Sequence, residues 1–60
     1  MNLKIQSAIE IFKANFPELI GTGRKFRPMV SQTSGNVVEI LEDGILYCTI
    51  NIKSEAVKGI

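Results

Sequence analysis

The chain has 60 residues, of which 45% are hydrophobic and 22% are charged, and its formal net charge is +1. This composition is typical of one small globular domain, and it excludes both a disordered chain and strong general attraction to polyanions. A chain this short buries only about 60% of the surface that its unfolded form exposes, so its stability is marginal, and domains of this size usually add disulfides, a metal or self-association.

The first predicted element is an amphipathic helix over about residues 3–15. Asn2 has a side chain suited to an N-cap. The bulky apolar residues recur at helical spacing and fall on one stripe, which consists of Ile5, Ile9, Phe12 and Phe16 with Ala8 beside it. Pro17 ends the regular helix near Asn15, because proline lacks an N–H and disfavours helical angles in the preceding residue. Such a stripe suits a helix that covers one face of a sheet.

Three strands are predicted next, over about residues 25–33, 37–41 and 45–53. Pro28 places the first strand at an edge, because a proline cannot donate to an interior ladder. Residues 54–58 fit either one capped helical turn or a frayed tail. The predicted fold is therefore a single α+β domain over residues 1–60, in which one N-terminal helix packs on a three-stranded antiparallel β-meander of order 1-2-3.

The segment 36–53 carries the strongest local signal, two β-branched runs on either side of Glu42-Asp43-Gly44. A two-residue Asp43-Gly44 loop would place Glu39 on the same side as Leu41, Leu46 and Ile50, where burial of a carboxylate is costly. A three-residue loop with Gly44 in the left-handed region avoids this burial, so we predict that register. Val38, Ile40, Leu46, Cys48, Ile50 and Ile52 then share the face beneath the helix.

The opposite face of this predicted sheet is the candidate site. By the period of two, it carries Met29, Val37, Leu41, Ile45 and Tyr47, with Arg27 and Glu39 at the rim. One helix can cover only one face, and an uncovered apolar cluster commonly marks an interaction site. The alternative is a second small core, in which the apolar face is covered by Ala56, Val57 and Ile60 or by Leu19 and Ile20.

No catalytic, metal or cofactor site is predicted. The chain has no histidine, the commonest general base, and Cys48, its only cysteine, is expected to be an inert inward-facing thiol. One thiol cannot supply a zinc site or an intrachain disulfide. We interpret Glu39 and Glu42 as solvated carboxylates and Asp43 as a residue that favours the turn. Gly21 and Gly23 are interpreted as part of a flexible connector.

A second candidate site is the basic segment Arg24, Lys25 and Arg27. Three cations within four residues next to glycines could contact phosphates of a nucleic acid or a nucleotide. The alternative is a solvated edge whose charges oppose aggregation.

The order helix-strand-strand-strand resembles double-stranded-RNA-binding domains in topology. Those domains close with a long basic helix that this chain lacks, so the resemblance implies no function here.

The predicted function is that of a small non-enzymatic interaction protein. It would associate with itself or bind a larger protein through the apolar sheet face, by analogy with small phage or mobile-element regulators and inhibitors. Binding of a nucleic acid or nucleotide through residues 24–27 is the less favoured alternative. No apolar run approaches the roughly 20 residues of a membrane span, so we expect a cytoplasmic protein without a membrane partner. The initial Met suggests a complete small gene product, with a fragment as the alternative.

Overall fold

The computed structural model describes residues 3–59, and it confirms an α+β fold with one N-terminal helix on an antiparallel sheet. The sheet has four strands rather than the predicted three. All neighbouring strands are antiparallel and follow chain order, β1-β2-β3-β4. The elements are α1 (Leu3–Asn15), a 3₁₀ turn (Pro17–Leu19), β1 (Phe26–Val30), β2 (Val37–Glu42), β3 (Ile45–Asn51) and β4 (Ala56–Gly59).

Helix α1 ends where the sequence predicts. The Asn15 side-chain amide donates a hydrogen bond of 2.8 Å to the carbonyl of Ile11, and Pro17 begins the 3₁₀ turn that follows. The expected cap, Asn2, lies outside the described residues. No described helix is long and apolar enough to cross a membrane.

Strand β1 forms one edge of the sheet, as Pro28 predicts, although it is shorter than the expected 25–33. The Ser31 N–H donates to the carbonyl of Val37 at 2.9 Å. Because N–H groups along a strand alternate in direction, the N–H groups of Arg27 and Met29 also point toward β2. The position of Pro28, which has no N–H, therefore faces away from the sheet, so this edge offers fewer donors to an added strand.

The C-terminal segment corrects the prediction for residues 54–58, which are neither a helical turn nor a tail. The Asn51 side-chain oxygen accepts hydrogen bonds from the N–H groups of Lys53 (3.0 Å) and Ser54 (3.1 Å), which starts a tight turn. Glu55 adopts a φ of 61° and completes the reversal. Strand β4 then pairs with β3, with Val57 opposite Ile50.

The predicted three-residue hairpin loop is also wrong. Asp43 (φ 53°) and Gly44 (φ 79°) form a two-residue loop with positive φ at both positions, typical of a type I′ turn. Glu42 pairs with Ile45 and Leu41 with Leu46, but Ile40 pairs with Cys48. Tyr47 is therefore an extra residue, a β-bulge inside β3. Because of the bulge, Glu39 pairs with Thr49 and lies on the side of the sheet away from the helix. The longer loop was expected to have the same effect.

The core lies between α1 and one face of the sheet, which we call the helix face. Five side chains there are at most 2% exposed, and they are Ala8, Val38, Ile40, Cys48 and Ile50. At one end of the core, half-buried aromatic rings from α1, from the residue that follows it, and from β1 and β3 pack with centroid distances of 5.0–6.2 Å. This aromatic cluster consists of Phe12, Phe16, Phe26 and Tyr47.

Candidate interaction surface

The side of the sheet opposite the helix, which we call the open face, is the leading candidate site. Residues directly opposite each other on antiparallel strands point to the same side. The register gives three rows on this face: Arg27-Leu41-Leu46, Met29-Glu39-Thr49-Lys58 and Val37-Asn51-Ala56. The rows combine an apolar corner with a polar middle.

The apolar corner of the open face is formed by Met29, Leu41 and Leu46. Met29 is 47% exposed, whereas Leu41 and Leu46 are half-buried by their neighbours in the sheet. An apolar cluster of this kind on an uncovered protein surface commonly marks a site where another molecule packs.

Neither segment that the alternative interpretation used as a cover lies over this face. Val57 packs against the helix-face core, and Ala56 extends the sheet sideways in β4. Leu19 and Ile20 line a cleft beside α1 and β1. Ile60 lies outside the described residues. Within residues 3–59, the open face is therefore left without a second layer.

The bulge changes which residues belong to this face. Tyr47, predicted to lie on it, instead contacts Phe12, Phe16 and Phe26 on the helix face. Ile45 pairs with Glu42 on the helix side near the hairpin tip and is 72% exposed. Leu46, predicted to lie beneath the helix, takes a place on the open face. Arg27, Met29, Val37, Glu39 and Leu41 lie on the open face as predicted.

The charges of the open face are not neutralised within the described chain. Arg27 is exposed and Glu39 is half-buried. Among residues 3–59, neither side chain makes an ion pair or hydrogen bond. They occupy diagonal positions on β1 and β2, because Arg27 pairs with Leu41 and Glu39 pairs with Met29. The apolar corner thus carries one cation and one anion available to a partner.

The basic segment behaves differently. Arg24 donates from Nε and Nη2 to the two carboxylate oxygens of Glu42, each at 2.7 Å. The hydrogen bond from Arg24 is the main cause that lowers the pKa of the Glu42 carboxyl, and it raises the pKa of Arg24. The guanidinium also lies 5.2 Å and 5.5 Å from the ring centroids of Phe26 and Tyr47, within the range of cation–π attraction.

The structure therefore does not gather the three predicted phosphate-binding cations into one surface. Arg24 binds Glu42 and lies near the rings of Phe26 and Tyr47 on the helix side, whereas Arg27 lies on the open face. Lys25 is exposed between them. Binding of a nucleic acid or nucleotide through residues 24–27 remains a prediction, with less geometric support than the open face has.

Cys48 and the acidic side chains within residues 3–59 are the remaining candidates for chemistry. Cys48 is 1% exposed, and its burial raises the pKa of the thiol, so the neutral form is favoured over the reactive thiolate. No group of three His, Cys, Asp or Glu residues within 3–59 is placed to hold a metal ion. The cleft between α1 and β1, about 280 Å³, is lined mainly by apolar side chains with Lys13 and Arg24.

Comparisons with protein-family models, curated proteins and solved structures found no match to this chain.

Proposed function

We propose that this is a small non-enzymatic interaction protein that associates with itself or binds a partner protein through the open face. The observation that carries the proposal is the uncovered apolar corner formed by Met29, Leu41 and Leu46. A sheet with one covered and one uncovered apolar region is half of a layered structure, and a second protein surface would supply the missing layer.

The size of the core supports the same proposal. Five side chains among residues 3–59 are almost fully buried, and domains this small usually need a disulfide, a metal or association to gain stability. Cys48 is the only cysteine, so the chain cannot form an internal disulfide. Burial of apolar area contributes roughly 25 cal/mol per Å², and covering the corner would therefore stabilise the bound state.

The test is the solution mass over a concentration series, measured by sedimentation for the wild type and for Leu41→Asp. We expect the wild type to associate and Leu41→Asp to lose association, because a carboxylate would have to be desolvated in the contact. Leu41 is half-buried, so Met29→Glu serves as a second variant at a more exposed position. Leu3→Asp is the matched control, because Leu3 is 76% exposed on α1 and lies away from the open face.

Binding to another protein is tested with the same variants. If the wild type stays monomeric, immobilised wild type and Leu41→Asp are compared for proteins retained from the native host. A partner held by the wild type and by Leu3→Asp, but lost with Leu41→Asp and Met29→Glu, supports the proposal. A monomeric wild type whose retained proteins are the same as those of Leu41→Asp would contradict it.

A further inference from the structure

We infer that the partner of the open face is a second copy of this chain, packed face to face about a two-fold axis that runs along the Met29–Leu41 diagonal. This inference rests on the proposed function, and it specifies the occupant of the same surface. Its basis is the arrangement of four side chains, Arg27, Met29, Glu39 and Leu41, which we call the charge square.

The charge square is self-complementary. Arg27 pairs with Leu41 across β1 and β2, and Met29 pairs with Glu39, so the two apolar side chains lie on one diagonal and the two charges lie on the other. A two-fold axis along the apolar diagonal brings each apolar side chain close to its own copy. The same rotation places Arg27 over Glu39 of the second copy, and Glu39 over the second Arg27.

A symmetric contact with another orientation fits the charges less well. An axis through Glu39 would bring two carboxylates together, and like charges in a contact are destabilising. An axis along the charged diagonal would place Arg27 against Arg27 and Glu39 against Glu39. The apolar diagonal alone forms two opposite-charge pairs from groups that lack partners within residues 3–59.

The resulting packing belongs to a known class. Strands rise about 3.4 Å per residue and lie about 4.8 Å apart, so the diagonal, which spans two residues and one strand spacing, is inclined by about 35° to the strands. A face-to-face rotation about such an axis crosses the strands of the two sheets at about 70°, which is closer to orthogonal than to aligned sheet packing. The contact is isologous, as expected for a closed dimer.

The test exchanges the two charges between separate chains. Alone, Arg27→Glu places Glu opposite Glu twice, and Glu39→Arg places Arg opposite Arg twice. Each single variant should therefore dimerise about tenfold more weakly than the wild type. In an equimolar mixture, one chain of each kind restores both opposite-charge pairs. Native mass spectrometry of the mixture should then show mainly the heterodimer.

The matched controls are Lys25→Glu and Glu10→Arg. These variants carry the same net charges as the two test variants, but their substituted residues are exposed positions outside the charge square. Each should dimerise like the wild type, and their mixture should contain little more than the statistical share of heterodimer. The double variant Arg27→Glu with Glu39→Arg should regain wild-type dimerisation, which distinguishes lost pairing from a damaged fold.

A second measurement checks the position of the axis. Met29→Cys lies on the axis, so two copies should form a disulfide-linked dimer under mild oxidation, whereas Lys58→Cys, which lies two strands from Glu39, should not. The native Cys48 is buried beneath the helix and serves as the background in both variants.

The outcomes separate this inference from the proposed function. Suppose that the wild type dimerises and that Leu41→Asp disrupts the dimer. If the single charge variants then dimerise normally, or if their mixture shows no excess of heterodimer, the inference is overturned and the proposed function stands. A wild-type monomer that binds a different protein through Leu41 has the same consequence. A wild type that neither dimerises nor binds a protein through the open face overturns both.

Discussion

The helix face and the open face belong to the same strands, yet they differ in how completely they are covered. Ile40 is 2% exposed beneath α1, whereas its chain neighbour Leu41 is half-buried on the opposite side. Val38 is fully buried and Glu39, the next residue, is a half-buried carboxylate. Strand alternation thus sets the side on which each residue lies, and the covering layer sets how much its side chain contributes to stability.

The largest expected difference between the faces is the effect of truncating neighbouring residues. Ile40→Ala removes buried atoms and leaves a cavity, which should lower the free energy of unfolding by about 2–5 kcal/mol. Leu41→Ala should cost less in the monomer, because its side chain already contacts solvent. Urea denaturation at low protein concentration measures both. Because the domain is small, Ile40→Val, expected to cost about 0.5–1.5 kcal/mol, provides a milder variant if Ile40→Ala does not fold.

Protein concentration provides a second test of the difference between the two faces. A dimer is stabilised by mass action, so the cost of Leu41→Ala should grow as the concentration rises through the dimerisation midpoint. Under the same conditions, the cost of Ile40→Val should change little. Equal losses from Ile40→Ala and Leu41→Ala at low concentration would contradict the difference in coverage between the two faces.

The parts of the fold that the sequence predicted are those with several concordant signals or with one signal that has a specific structural consequence. The helix 3–15 has both an apolar stripe and Pro17 at its end, and the structure places α1 at Leu3–Asn15. The edge position of β1 follows from Pro28 alone, because the missing N–H has a specific consequence for pairing. Strand β4 has four residues, and one of its side chains, Val57, packs against the core. The strand is therefore too short to show a recognisable alternation of apolar and polar residues in the sequence.

The sequence predicted only some of the residues of the open face, because the position of one extra residue could not be located. Alternation fixes only parity, and one extra residue changes parity whether it lies in the loop or within the strand. The predicted three-residue loop and the observed bulge therefore give the same sides to residues 37–41 and 48–52. They differ only for Ile45, Leu46 and Tyr47, which explains why five of seven predicted residues lie on the open face. The rings of Phe12, Phe16 and Phe26, which attract Tyr47, become neighbours only in the fold.

The next largest effect concerns the turn that sets this register. Gly44 has a φ of 79°, and no atom lies within 4 Å of the position that a β-carbon would occupy. Gly44→Ala should therefore destabilise the protein through backbone conformation alone, by roughly 1–2 kcal/mol. Thermal or urea unfolding measures the loss.

Gly59→Ala is the matched control for this turn. It adds the same methyl group to β4, where space is also free and φ is not in the left-handed region, so the change should stay within about 0.5 kcal/mol. If Gly59→Ala proved as costly as Gly44→Ala, the loss could not be attributed to the positive φ of the turn.

The smallest expected effect lies at the exposed margin of the helix side, where Arg24 binds Glu42. Because the pKa of Glu42 is lowered in the folded protein, the interaction stabilises at a pH above the ordinary carboxyl value and is lost as the pH falls through the lowered value. Arg24→Met keeps an apolar side chain near the rings but removes the donors, so the pKa of Glu42 should rise. A carboxyl titration followed by NMR measures that change.

Arg27→Met is the matched control, and it tests whether the effect on the pKa of Glu42 is specific to an arginine on the helix side. Arg27 lies on the open face, so its removal should leave the titration of Glu42 unchanged while weakening association of the chain. Added salt should reduce the difference between the wild type and Arg24→Met, because both partners reach solvent and exposed pairs are screened. If Arg27→Met shifted the pKa of Glu42 as far as Arg24→Met does, the two arginines would share one surface. The separation of the basic segment into two sides of the sheet would then be wrong.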